Sequence, residues 1–148
     1  MDKCYNTGDF GRYFRENMDA MGLPAPMSLF GTFTTAVSNG SMMAGVLHQL
    51  GPSATMRELA KATLKSEKFA LVLGLSAAWY TGAAVGSIAV ASGRSLGCGT
   101  RLSDIFVFVH RHQLRFPGWE TFYHRHPQVI DVNHPHRRNV GLIAGRAA

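Results

Sequence analysis

Charge is scarce in this chain. Asp, Glu, Lys and Arg make up 16% of its 148 residues, against roughly a quarter in an average soluble protein. The shortage is concentrated: Ala20 to Met56 contains none of the four, and neither does Phe69 to Gly93, so these stretches have no obvious reason to face water. Cysteine is nearly absent. Cys4 and Cys98 are too few for a disulfide framework and are expected as free thiols. The first 19 residues have no apolar core and hold Asp2, Asp9, Glu16 and Asp19 against three bases. That makeup argues against a secretory signal peptide and places the chain first in the cytoplasm. Nor does a basic stripe organise the formal charge of +6; Lys and Arg are thinly spread, which argues against nucleic acid as a partner. Length and an apolar fraction of 46% fit one domain, or a small domain with appendages.

Breakers divide the chain into a polar N-terminal arm (1–26) ending in a GLPAP linker, a glycine-rich helical hairpin (27–97) that is a candidate for membrane insertion, and a region rich in His, Arg and aromatics (98–148). Pro24 and Pro26 block a helix before Met27, and Gly51-Pro52 supplies a C-cap glycine followed by a residue that cannot continue a helix. Thr55-Met-Arg-Glu58 matches a capping box, so an amphipathic connector helix is predicted from there through MRELAKATLKSEK, with no breaker before Gly74. The connector's charges, Arg57, Glu58, Lys61, Lys65, Glu67 and Lys68, net to +2, and its apolar spacing suits an interfacial helix or a helix lying on a core. Two weakly hydrophobic helices flank it. Phe30 to Leu50 would extend about 31 Å and Phe69 to Gly93 about 37 Å, against a hydrocarbon core of about 30 Å. Eight Leu, Ile, Val and Phe residues in the second are worth about −2.4 to −4.8 kcal/mol on the insertion scale. Its glycines and hydroxyl residues erode that gain, so insertion is expected to be conditional. The fold expected is mainly α: a helical hairpin with its connector, plus a small irregular or α+β C-terminal part.

The run AAWYTGAAVGSIAVASGRSLG, residues 77–97, carries glycine where leucine would stabilise a helix more. At about 100° per residue, Ala78, Gly82, Gly86, Ala89 and Gly93 fall in a stripe about 80° wide, and Gly82/Gly86 and Gly93/Gly97 are GxxxG pairs. In a bilayer such a stripe allows helices to approach closely; in water it allows tight packing in an ordinary core. Ser76, Tyr80 and Ser87 lie on the opposite face. In the first segment, Thr34, Ser38, Ser41, Gly45 and His48 form a neutral polar stripe opposite Phe33, Val37, Gly40, Ala44 and Leu47. Thr34, Ser38, Ser41, His48, Ser76 and Ser87 are therefore candidates to line a narrow water path if helices assemble around it, or to bond across to a neighbour.

Three His-x-His pairs mark the C-terminal region: His110/His112, His124/His126 and His134/His136. Residues i and i+2 share a face on a strand, and IFVFVHRH has the β-branched and aromatic makeup of one, so His110, His112, His124 and His126 are a candidate metal set. The other reading leaves these histidines exposed or hydrogen-bonded, gaining charge near about pH 6.5. A triad drawn from Ser103, Asp131 and a histidine lacks a nucleophile elbow. No covalent chemistry is expected, and no cofactor other than that metal. Seven arginines against three acids from Cys98 onward keep this region out of lipid.

On the glycine stripe between Gly74 and Gly97, the paired weak spans and the absent signal peptide, the chain resembles small pore-forming antibacterial effectors of the bacterial type VI secretion system. The resemblance covers about half of the chain. It implies a protein that is soluble in the producer cytoplasm, passes through the secretion tube protein and acts at the inner membrane of a target cell. There it would self-associate through Gly82, Gly86 and Gly93 and leak ions, while a cognate immunity protein protects the producer. In the soluble form the hairpin would be hidden against itself and the C-terminal region. Three other readings remain open: a metal-dependent enzyme or metal-binding protein anchored by its apolar half, a non-catalytic membrane scaffold dimerising through GxxxG, and a soluble helical interaction domain.

Overall fold

A helix built from small side chains can be buried on every side, because its neighbours can come close to its backbone. The structure, a computed structural model, describes residues 9–65, 67–96, 102–131 and 134–146, without the side chains of 94–96. Its axis is α5 (Ala77–Leu96), in which every residue from Tyr80 to Ser92 is buried. Against α5 pack α1 (Phe10–Ala20), α3 (Phe33–Leu50), α4 (Met56–Thr63), α6 (Leu102–Arg111), α7 (Trp119–Arg125) and α8 (Asn139–Arg146). The short α2 (Met27–Phe30) leads into α3. The protein is mainly α-helical: among the described residues no strand forms, and extended pairing is limited to a single antiparallel bridge between Thr55 and Ser76.

Most of the helix ends have local causes. α1 buries Phe10, Tyr13, Phe14, Asn17 and Met18, the i, i+3, i+4, i+7, i+8 stripe of an amphipathic helix. The described part of the polar N-terminal segment is thus a helix on the core, and Phe14 stacks on Phe30 with ring centroids 4.7 Å apart. Gly22, at φ +77°, reverses the chain as Leu23 N–H donates to the Met18 carbonyl, a Schellman ending. Thr32 caps α3 by accepting from Thr35 N–H, and Gly51, at φ +91°, closes it. The capping box at α4 forms as expected: Thr55 Oγ1 accepts from Glu58 N–H and Glu58 Oε1 from Thr55 N–H.

Two expected elements are different in the structure. The connector helix does not run on toward Gly74. α4 stops at Thr63, Leu64 turns left-handed at φ +59°, and Lys65 N–H donates to the Ala60 carbonyl. The reversal lets Phe69 and Val72 reach the core through a 3-10 turn, Ala70–Val72, so residues 69–93 are not one continuous helix. The strand expected at IFVFVHRH is α6 instead. Ile105 and Val109 face inward four residues apart, and with no partner strand among the described residues the helical period prevails.

Three glycines mark close approaches rather than turns, one against side chains and two against backbone. A Cβ on Gly40 would stand 3.0 Å from Ile88 Cδ1 and 3.1 Å from Leu114 Cδ2, which sets how closely α3 lies on α5. One on Gly11 would stand 2.5 Å from the Gly31 carbonyl oxygen, and one on Gly141 2.7 Å from those of Met21 and Gly22. Gly141 N–H itself donates to Met21 O at 2.8 Å. Backbone cannot yield as a side chain can, so Gly141→Ala is expected to lower unfolding free energy by about 1–3 kcal/mol. Gly45, exposed in mid-helix with open space at its Cβ position, should give the opposite sign, Gly45→Ala gaining about 0.5–1 kcal/mol. Urea titration of the two variants measures both.

Candidate functional site

The glycine stripe of α5 has its partner within the chain. After α6, Phe116 and the left-handed Gly118, at φ +74°, set the start of α7, which crosses the stripe together with the 3-10 turn Pro127–Val129. A Cβ on Gly82 would lie 2.5 Å from two atoms of the Phe122 ring. One on Gly86 would lie 2.7 Å from Val129 Cγ1, 3.1 Å from Tyr123 Cε1 and 3.2 Å from Ile130 Cγ2. The missing methyls are thus the seats of two aromatic rings and two branched side chains. Tyr123 O–H donates to the Gly82 carbonyl at 2.7 Å, and burial pushes its pKa well above the ordinary tyrosine value. Trp79 extends the seat, its ring 5.2 Å from Phe122 and 4.3 Å from His126.

Behind this cover a buried polar node joins three parts of the chain. Asn17 on α1 donates through Nδ2 to Ser87 Oγ (2.8 Å) and to the Val129 carbonyl (3.0 Å), while its Oδ1 accepts from Arg137 Nη2. Arg137 Nε also donates to the Gln128 carbonyl at 3.1 Å. Low local polarity strengthens such bonds and penalises leaving any member unpaired, so the node holds the cover as a unit.

The expected site residues are distributed as follows. Gly82 and Gly86 contact the cover, Ala89 is buried, Ala78 and Gly93 are half-buried, and Gly97 lies outside the described residues, as do Cys4 and Cys98. The six polar candidates do not share one surface. Thr34 and Ser38 are exposed; Ser41 donates to the Gln113 carbonyl at 3.2 Å, and His48 Nε2 stands 3.2 Å from that of Arg115. Ser76 and Ser87 are buried on α5, where Ser76 Oγ accepts from Trp79 N–H and Ser87 belongs to the polar node. Beside His48, a shallow recess of about 560 Å³ opens toward Arg115, Trp119 and Glu120.

The first two histidine pairs diverge because i and i+2 are about 200° apart on a helix, whereas His134 and His136, outside any helix, keep their rings 5.7 Å apart and His136 N–H donates to His134 Nδ1. His112 lies against Phe33 and Phe108, His124 against Phe106 and His126 between Trp79 and Phe122, while His110 is exposed. Among the described residues, no three His, Cys, Asp or Glu side chains gather where they could hold a metal ion. Nor is any described helix long and apolar enough to cross a membrane. No family model, curated protein or solved structure matches the chain.

Phe122, Tyr123, Val129 and Ile130 as occupants of the glycine seats, and Asn17 and Arg137 as members of the node, do not follow from spacing or composition. The density of large side chains in WETFY, set against a stripe with none, was the available signal.

Burial, and secondarily the adjacent Arg125 and Arg111 charges, lower the pKa of His126 and His112 below the ordinary histidine value. A lowered pKa means the folded protein binds fewer protons than the unfolded chain from about pH 6.5 down to the folded values. Their effect is therefore absent above that window, grows as pH falls through it and is complete below the folded values. The thermal midpoint is expected to fall between about pH 7 and about pH 5, and His126→Gln should flatten part of that fall. Melting curves by circular dichroism provide the check.

Proposed function

We propose that this fold is the closed, water-stable form of a membrane-permeabilising protein, the reading that the resemblance to type VI secretion effectors first suggested. One observation carries it: a 20-residue helix with no charge from Ala77 to Gly93 is enclosed by its own chain, and its small-residue face is covered by a separate C-terminal segment. At about 1.5 Å per residue α5 is roughly 30 Å long, the thickness of a hydrocarbon core. It is too weakly apolar to cross alone, so insertion depends on neighbours meeting its glycine face. At a target bilayer α7 and residues 127–130 lift away, α3 and α5 open as a hairpin, and copies associate through Gly82, Gly86 and Gly93. Thr34, Ser38, Ser41 and His48, with Ser76 and Ser87, then border a narrow path for ions. Passage through a secretion tube protein and protection of the producer by an immunity protein belong to the same proposal.

A second reading is favoured by the same contacts: a soluble helical interaction protein in which the glycines serve only as seats for Phe122 and Val129. The two are separated by potassium efflux from loaded vesicles of inner-membrane lipid composition, run with the parent and with Phe122→Ala. Removing the ring should cost about 2–4 kcal/mol of closed-state stability and speed efflux severalfold if the cover guards the stripe. Absence of efflux from both proteins, with both folded, would remove the pore and leave the interaction protein.

A further inference from the structure

We propose that the link between α4 and α5 is a docking surface for an anionic lipid bilayer. Leu64 is 91% exposed and Leu71 74% exposed, the two most exposed large apolar side chains among the described residues, and both lie in this one link. Neither is left out for lack of a core, since Phe69 and Val72, interleaved with them, are fully buried. Leu64 also holds φ +59° at the end of α4, a conformation that favours glycine. An apolar, branched residue is thus kept where both the solvent and the backbone would prefer glycine.

The surroundings are cationic. Lys61, Leu64, Lys65, Glu67 and Lys68 line a shallow recess of about 510 Å³. Glu67 is the single acid among the five, and the nearby Glu58 is engaged in the capping box at the far end of α4. Lys65 is tied back, its Nζ donating to Asn39 Oδ1 at 3.0 Å, which fixes the base of the link to α3. Asn39 in turn donates to the Leu29 carbonyl at 2.8 Å. Lys61 and Lys68 remain exposed.

Leu64 projecting beside lysines on a firm base, with Leu71 exposed farther along the same link, fits a lipid interface better than a protein groove. The aliphatic groups enter the acyl boundary while the ammonium groups stay at headgroup level beside anionic lipid. An acidic protein partner would use the lysines but gain little from two separate leucines without a continuous apolar patch. The proposal shares its target with the permeabilising reading, yet it requires only binding and no insertion.

The test is co-sedimentation of the full chain with phosphatidylcholine vesicles and with vesicles of equal parts phosphatidylcholine and phosphatidylglycerol. The parent is expected to bind the anionic vesicles far more strongly. Leu64→Gly removes the side chain while relieving its backbone, so it should keep or raise the thermal midpoint and still lower partitioning about tenfold. Lys61→Gln with Lys68→Gln should lower it about twentyfold, from the attraction of each lysine to an anionic surface. Equal binding by parent and variants overturns the proposal, as does binding without preference for anionic lipid. Retention on a polyglutamate matrix without vesicle binding would also overturn it, replacing the membrane with an acidic polymer. Variant-sensitive binding without efflux supports this surface and counts against the pore; efflux unaffected by these variants does the reverse.

Discussion

Everything in this fold depends on how closely its helices approach α5. The thirteen residues from Tyr80 to Ser92 are buried all round, which is possible only because most of them are Gly, Ala or Ser. Larger side chains there would push the neighbours outward, and dispersion contacts fall off steeply with even small gaps. The bulk that α5 lacks is supplied from outside by Phe122, Tyr123, Val129 and Ile130, and on α3 the gap at Gly40 admits Ile88 of α5 and Leu114. The core is therefore an arrangement of large residues from the periphery around a thin centre.

That arrangement gives the same residues two uses. Glycine weakens a helix in isolation, so a chain that places it centrally must recover the loss in packing. Here the recovery is internal, through the aromatic seats and the node of Asn17, Ser87 and Arg137. In the proposed membrane form the seats would be refilled by other helices, and the cover would be the competitor displaced. The connection from α4 does not use the residues of the cover: Met56 and Arg57 N–H donate to the Leu75 and Leu73 carbonyls just before α5 begins.

Features with local causes were legible in the sequence. The capping box at Thr55 and Glu58 and the end of α3 at Gly51 need only a few neighbouring residues, and both stand where expected. The mainly helical character was legible as well. Less so was α1, because counting its charges hid the apolar stripe of Phe10, Tyr13, Phe14 and Met18. The end of α4 carries no glycine, so Leu64 gave no warning of a left-handed turn dictated by the burial of Phe69. IFVFV suits either period, and only the inward placement of Ile105 and Val109 decides it. At the candidate site, the small-residue stripe was visible but its occupants, some forty residues away, were not. The polar residues grouped by spacing on α3 and α5 are kept apart by burial of Ser76 and Ser87.

The polar node also fixes an order of events. Asn17 meets the Val129 carbonyl 112 positions along the chain and Arg137 at 120, so α1 cannot be bonded into its final place until Arg137 has been made. Translation runs at about 5–20 residues per second, so α5 exists for some seconds before the residues that cover it. During every round of synthesis the small-residue face is bare inside the cell that makes it. Contacts this distant in sequence also close slowly, which lengthens the interval. The face is then most exposed at the birth of each molecule, before the finished fold exists.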